Sequence, residues 1–170
     1  MARSGHRRSG FTLIELLVVV VILAVLAGAL TLAVGGIGAR RLAREAEQTR
    51  ALIAYACEQA ELTGRTIGLA LRHAGYRFSR FERADWLPIV GDELRPRTWL
   101  PGIVAELSRD GRAVEIAEAF PDKPQIVCFA SGELTPFRLD LRLADAPQRY
   151  RLDGSADGTV ALVAGDAHAR

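Results

Sequence analysis

A single carboxylate, Glu15, stands immediately before nineteen uncharged residues bounded by Leu16 and Val34. An ionised group at the edge of such a segment is costly near lipid, and it persists where it has a function or a partner. Phe11 lies four residues earlier, about one helical turn away on the same face. The remaining reactive side chains form no familiar catalytic pattern. His6, His73 and His168 are scattered along the chain. Ser131-Gly132-Glu133 lacks the frame of a nucleophile elbow. Residues 153–158 imitate part of a calcium loop, but Ala164 stands where the closing glutamate belongs, so a hairpin turn is the better reading. No catalytic residue, metal or cofactor is expected, and the chain reads as a non-enzyme.

Cys57 and Cys128 make neither a disulfide scaffold nor a metal motif. Outside the cytoplasm they could pair and close a loop of about seventy residues. Two separately buried thiols is the simpler reading, because free cysteine is among the most buried residue types.

The elements that position these groups follow from patterning. Nineteen helical residues span about 28 Å, close to the hydrocarbon thickness of about 30 Å. Arg3, Arg7 and Arg8 would hold the preceding end in the cytoplasm. A cleaved secretory signal fits the basic start and Ala27-Gly28-Ala29, Arg7-Arg8 hints at a twin-arginine signal, and an uncut signal anchor fits as well. None of these accounts for Glu15.

Gly35-Gly36 and Gly38 weaken the helix, and a bent or flexible stretch is expected there. Helical spacing then resumes, with Leu42, Ala46, Thr49, Ile53, Ala56 and Ala60 on one stripe and Gly64 as the stop. Beyond Gly64 the pattern becomes short strands. Ile67, Leu69 and Leu71 alternate with small residues. Residues 104–107 and 113–116 flank an Asp110-Gly111 turn, residues 125–130 read as a strand buried on both faces, and residues 137–143 alternate cleanly. Nineteen basic and nineteen acidic side chains follow residue 38, so the exposed part is neutral and carries no footprint for nucleic acid.

The run from Gly10 through Phe11 to Glu15 and Leu16 resembles the class III signal of type IV pilins and pseudopilins. That pattern is a short basic leader, a glycine, a phenylalanine and a glutamate at the fifth mature position. The resemblance implies cleavage between Gly10 and Phe11 by a prepilin peptidase, N-methylation of Phe11, and retention of the helix. Glu15 would then neutralise the new amine at Phe11, its own or a neighbour's, in a low-dielectric setting.

The body is similar to the H-type minor pseudopilins, in the family that also holds the FimT-like minor pilins. Residues 60–69, Gly75-Tyr76-Arg77-Phe78, Trp86-Leu87-Pro88, 94–97, Leu100-Pro101 and 131–137 carry that resemblance. It implies an α+β, type IV pilin-like fold: a long N-terminal helix packed on an antiparallel sheet or a two-sheet domain. Residues 1–10 would be the removed leader, 11–38 the membrane and filament-core helix, 39–64 its amphipathic continuation, and 65–170 a periplasmic β-rich domain. The implied role is structural, near the tip of the type II secretion pseudopilus, anchored in the bacterial inner membrane with the N-terminus cytoplasmic. Other major and minor pseudopilins, the prepilin peptidase and the inner-membrane assembly platform are the implied partners. A FimT-like minor pilin acting in pilus assembly or DNA uptake is the alternative; a nucleic-acid partner is not expected from the neutral domain. Residues 86–101 hold three prolines and two tryptophans. They read as a loop pinned by its tryptophans or as a partner surface made by Trp86, Trp99, Arg95 and Arg97.

Overall fold

The structure, a computed structural model, describes residues 13–144 and 148–166, with the side chains of residues 27–37 and 166 left aside. One helix, α1 (Leu13–Thr63), is followed by ten strands: β1 (Ile67–Arg72), β2 (Gly75–Glu82), β3 (Asp85–Pro88), β4 (Arg97–Thr98), β5 (Ile103–Arg109), β6 (Arg112–Val114), β7 (Ile126–Cys128), β8 (Phe137–Leu143), β9 (Gln148–Gly154) and β10 (Val160–Asp166). The chain divides into two compact units after Ile37.

The first unit is the opening part of α1. Its side chains from Leu13 to Leu26 are exposed, and all but Glu15 and Ala24 are large and apolar. The backbone stays helical through Gly35-Gly36 and Gly38, where the glycines suggest an interruption.

The second unit contains the remainder of α1 and two five-stranded antiparallel sheets, ordered β3-β2-β1-β7, with β4 also on β2, and β10-β9-β8-β5-β6. The helical stripe is the face that docks: Leu42, Ala46, Thr49, Ile53, Ala56 and Ala60 are all buried. Gly64 ends the helix with a positive φ of 65°. Its N–H donates to the Glu61 carbonyl, and that of Arg65 donates to Ala60, which satisfies two terminal carbonyls. Inward residues of both sheets complete the core, among them Leu69, Leu71, Tyr76, Phe78, Leu139, Leu141 and Leu152.

Two further expectations change. Residues 86–101 are not one loop, because β3 and β4 both pair with the outer edge of β2, at residues 79–82 and 75–76. The prolines permit this: Pro88 ends an edge strand, where a missing N–H costs no ladder bond, and Ile89 donates to the Phe78 carbonyl just beyond it. The second change concerns residues 125–130. Only Ile126–Cys128 form a strand, β7 lies at a sheet edge, and Val127 is half-buried. Gln125 turns its side-chain amide onto β1 instead, accepting from Leu71 N–H at 2.8 Å and donating to Leu71 C=O at 3.1 Å.

Candidate functional site

Glu15 lies in the first turn of α1, where the helix dipole favours a carboxylate. Its side chain is exposed. Leu13, Leu16, Leu17, Val20 and Val21 form one continuous apolar surface beside it. A helix apolar on every face is at home among other helices or lipid rather than in water. Gly10 and Phe11 lie outside the described residues. The run from Leu16 to Val34 has a described helical backbone, but its side chains from residue 27 onward do not belong to the description. Among the described residues no helix is long and apolar enough to cross a membrane.

Within the second unit, a polar group sits under the second half of α1. The Thr49 hydroxyl donates to the Glu45 carbonyl at 2.8 Å, one turn back. Tyr76 is fully buried, with its ring 4.7 Å from Trp99 and 5.9 Å from Phe78. Burial raises the Glu45 carboxyl above its ordinary range, and the charge of Arg97 draws it partly back. Burial raises the Tyr76 phenol too. The spacing of Glu45 and Thr49 was the available signal for this group, since a glutamate one turn before a threonine on the apolar stripe also faces inward.

The four residues offered as a partner surface separate. Trp99 is 5% exposed and belongs to the core, so it does not anchor a partner. Arg97 pairs across the ladder with Tyr76, reaches Glu93 at 3.6 Å and keeps only 17% of its side chain exposed. Arg95 is exposed and donates to the Asp92 carbonyl at 3.3 Å. Trp86 is half-buried on the edge strand, 5.2 Å from the ring of Phe81. Arg95 therefore faces solvent, Trp86 and Arg97 do so in part, and Trp99 does not.

Cys57 of α1 and Cys128 of β7 are joined as a disulfide, which replaces the simpler reading of two separate thiols. Asp157, in the turn that resembles part of a calcium loop, accepts from the Thr159 N–H at 3.1 Å and hydroxyl at 2.7 Å. These bonds hold its carboxyl below the ordinary range, as expected of a residue shaping a hairpin turn.

Comparison with known proteins adds independent observations. Residues 5–31 match the family described as the prokaryotic N-terminal methylation motif, and residues 45–158 match type II transport protein GspH. The chain is 39% identical to type II secretion system protein H of Pseudomonas aeruginosa, over 88% of this chain and 91% of that protein. It is 32% identical to the protein of the same name from Aeromonas hydrophila, over 89% and 90%. Among solved structures it is similar to the minor pseudopilin EpsH of the Vibrio cholerae type II secretion system. The TM-score is 0.64 at 21% identity, covering 75% of this chain and 96% of that one. At that identity the likeness is one of fold.

Proposed function

The chain belongs to the GspH family of type II transport proteins, and on that premise we propose that it is a structural minor pseudopilin built into the periplasmic filament near its tip. In this reading a prepilin peptidase cuts between Gly10 and Phe11, and Phe11 is methylated. Residues 11–38 hold the chain in the inner membrane and then in the filament core. Residues 39–64 carry the β-rich domain of residues 65–170 into the periplasm. Other pseudopilins surround the helix, and the inner-membrane platform supplies the site of assembly. The naming of the relatives for secretion favours that system over the pilus alternative.

The observation that carries this reading is Glu15 at the start of an α1 segment whose described side chains are apolar and exposed. A carboxylate there is tolerable if it meets a cationic amine, because an unpaired charge in a dry helix bundle costs several kcal/mol, on the order of the desolvation penalty of one ion. The test is Glu15→Ala in cells carrying the complete secretion system. The variant is expected to be cut normally yet recovered in sheared filaments at least about tenfold less often, the equivalent of ~1.4 kcal/mol. Incorporation equal to that of the parent chain would remove the pairing argument.

A further inference from the structure

Arg72, the last residue of β1, and Arg77 of β2 project from the same face of the first sheet. The ladder pairs Arg72 with Gly75 and Ala70 with Arg77, which makes the two arginines diagonal neighbours. Both guanidinium groups lie over the ring of Phe120, at 4.8 and 4.5 Å from its centroid. The Nε of each is buried and unbonded. The one hydrogen bond made by either guanidinium among the described residues is a long one, from Arg77 Nη2 to the Pro121 carbonyl at 3.5 Å. Neither arginine forms an ion pair among the described residues, whereas Arg138, Arg142 and Arg151 of the second sheet each do. Two like charges at diagonal positions repel, and contact with the face of one aromatic ring offsets only part of that.

The segment bearing Phe120 is fastened at both ends. Before it, the His73 N–H donates to the Ala117 carbonyl at 3.0 Å, and the His73 ring meets Glu118 at 2.9 Å. After it, Gln125 is bonded to both backbone groups of Leu71. Pro124 lies over Gly68, where an added Cβ would come within 2.6 Å of the proline Cβ and 2.8 Å of Trp86. Phe120 and the two guanidinium groups are therefore a built arrangement rather than a chance meeting of long side chains.

We propose that Arg72 and Arg77 form a socket for one carboxylate side chain, Asp or Glu, on the periplasmic domain of a neighbouring subunit. A carboxylate fits the planar donors of two guanidinium groups and would relieve their repulsion. A single carboxylate suits the site better than a polyanion, because exposed Glu118 and Asp122 flank Phe120 on the same segment. The inference rests on the assembly reading above.

The test places a photo-crosslinking residue at exposed Ala119 of the full chain, in cells carrying the complete secretion system. Processing and incorporation are measured in the same cells. The expected result is an adduct with another subunit at a segment containing Asp or Glu. Its yield should fall at least tenfold in Arg72→Gln/Arg77→Gln and be unchanged in Arg112→Gln. Each single change, Arg72→Gln or Arg77→Gln, should lower the yield several-fold while leaving the melting temperature of the purified full chain unchanged, which separates loss of the socket from unfolding. Four results would overturn the socket while the chain still assembles: no adduct, an adduct unaffected by the arginine changes, one mapping to a segment without carboxylates, or one with nucleic acid or phospholipid. Failure of the parent chain to incorporate would sink the assembly reading first and the socket with it.

Discussion

Cys57 on the buried side of α1 is covalently bonded to Cys128 on β7, 71 residues further along the chain. The bond ties the amphipathic half of the helix to an edge strand of the first sheet. Two flanking features hold the same region: the buried pair Ala56 and Ala60, and the Leu71–Gln125 bonds next to β7.

Closing a loop of that length restricts the unfolded chain, an effect of about 4 kcal/mol in the chain-entropy account. The double change Cys57→Ser/Cys128→Ser is expected to lower unfolding free energy by roughly that amount. Denaturant titration of the purified protein measures it. A loss under about 1 kcal/mol would mean that packing alone holds the helix in place.

Glu45 makes the stability of the fold depend on pH. Its carboxyl is raised above the ordinary value of 4.5, so folding disfavours the ionised form. The stability that Glu45 contributes is therefore present below pH 4.5 and is lost as pH rises through the raised value. Arg97 and Tyr76 are the charged and titratable groups facing it; the Tyr76 phenol, itself pushed up by burial, stays neutral across that window. Glu45→Gln is expected to raise the melting temperature at neutral pH by a few degrees, on the scale of ~1 kcal/mol, and to flatten the decline above pH 4.5. A melting curve series against pH checks both. A lower melting temperature at neutral pH would show that the attraction of Arg97 outweighs burial.

Gly68 is where the Phe120 segment rests on the sheet. Gly68→Ala would drive a methyl group into Pro124 and Trp86. Overpacking of this kind costs about 1–3 kcal/mol, so a fall in stability of that size is expected, together with faster amide exchange at Leu71. Unchanged exchange at Leu71 would mean that the segment is held elsewhere.

Much of this fold was legible because local pattern and tertiary role coincide. The stripe from Leu42 to Ala60 is buried as its spacing requires. The turn at Asp110-Gly111 joins β5 and β6, with φ of 50° and 74°. Phe137, Leu139 and Leu141 alternate into the core. The misses share a different cause. Arg83-Ala84 makes a two-residue hairpin turn with both φ values positive, yet carries none of the Asn or Gly that usually announces one. Consequently β3 carries no turn signal, and β4 is no plainer, since two residues pairing with the same edge of β2 leave no periodic trace. The contacts of Trp99 with Tyr76 and of Phe120 with two arginines, like the cysteine pairing, are meetings of distant segments that no local spacing encodes.

Assembly through Glu15 requires that a new amine be created next to it. Intact-mass and N-terminal peptide analysis of the mature chain, isolated from membranes containing its own processing enzymes, tests this most directly. The predicted result is a polypeptide that begins at Phe11 and carries one added methyl group on its terminal nitrogen. A mature chain that begins at any other residue would contradict the account, because Glu15 would then have no terminal amine one helical turn away.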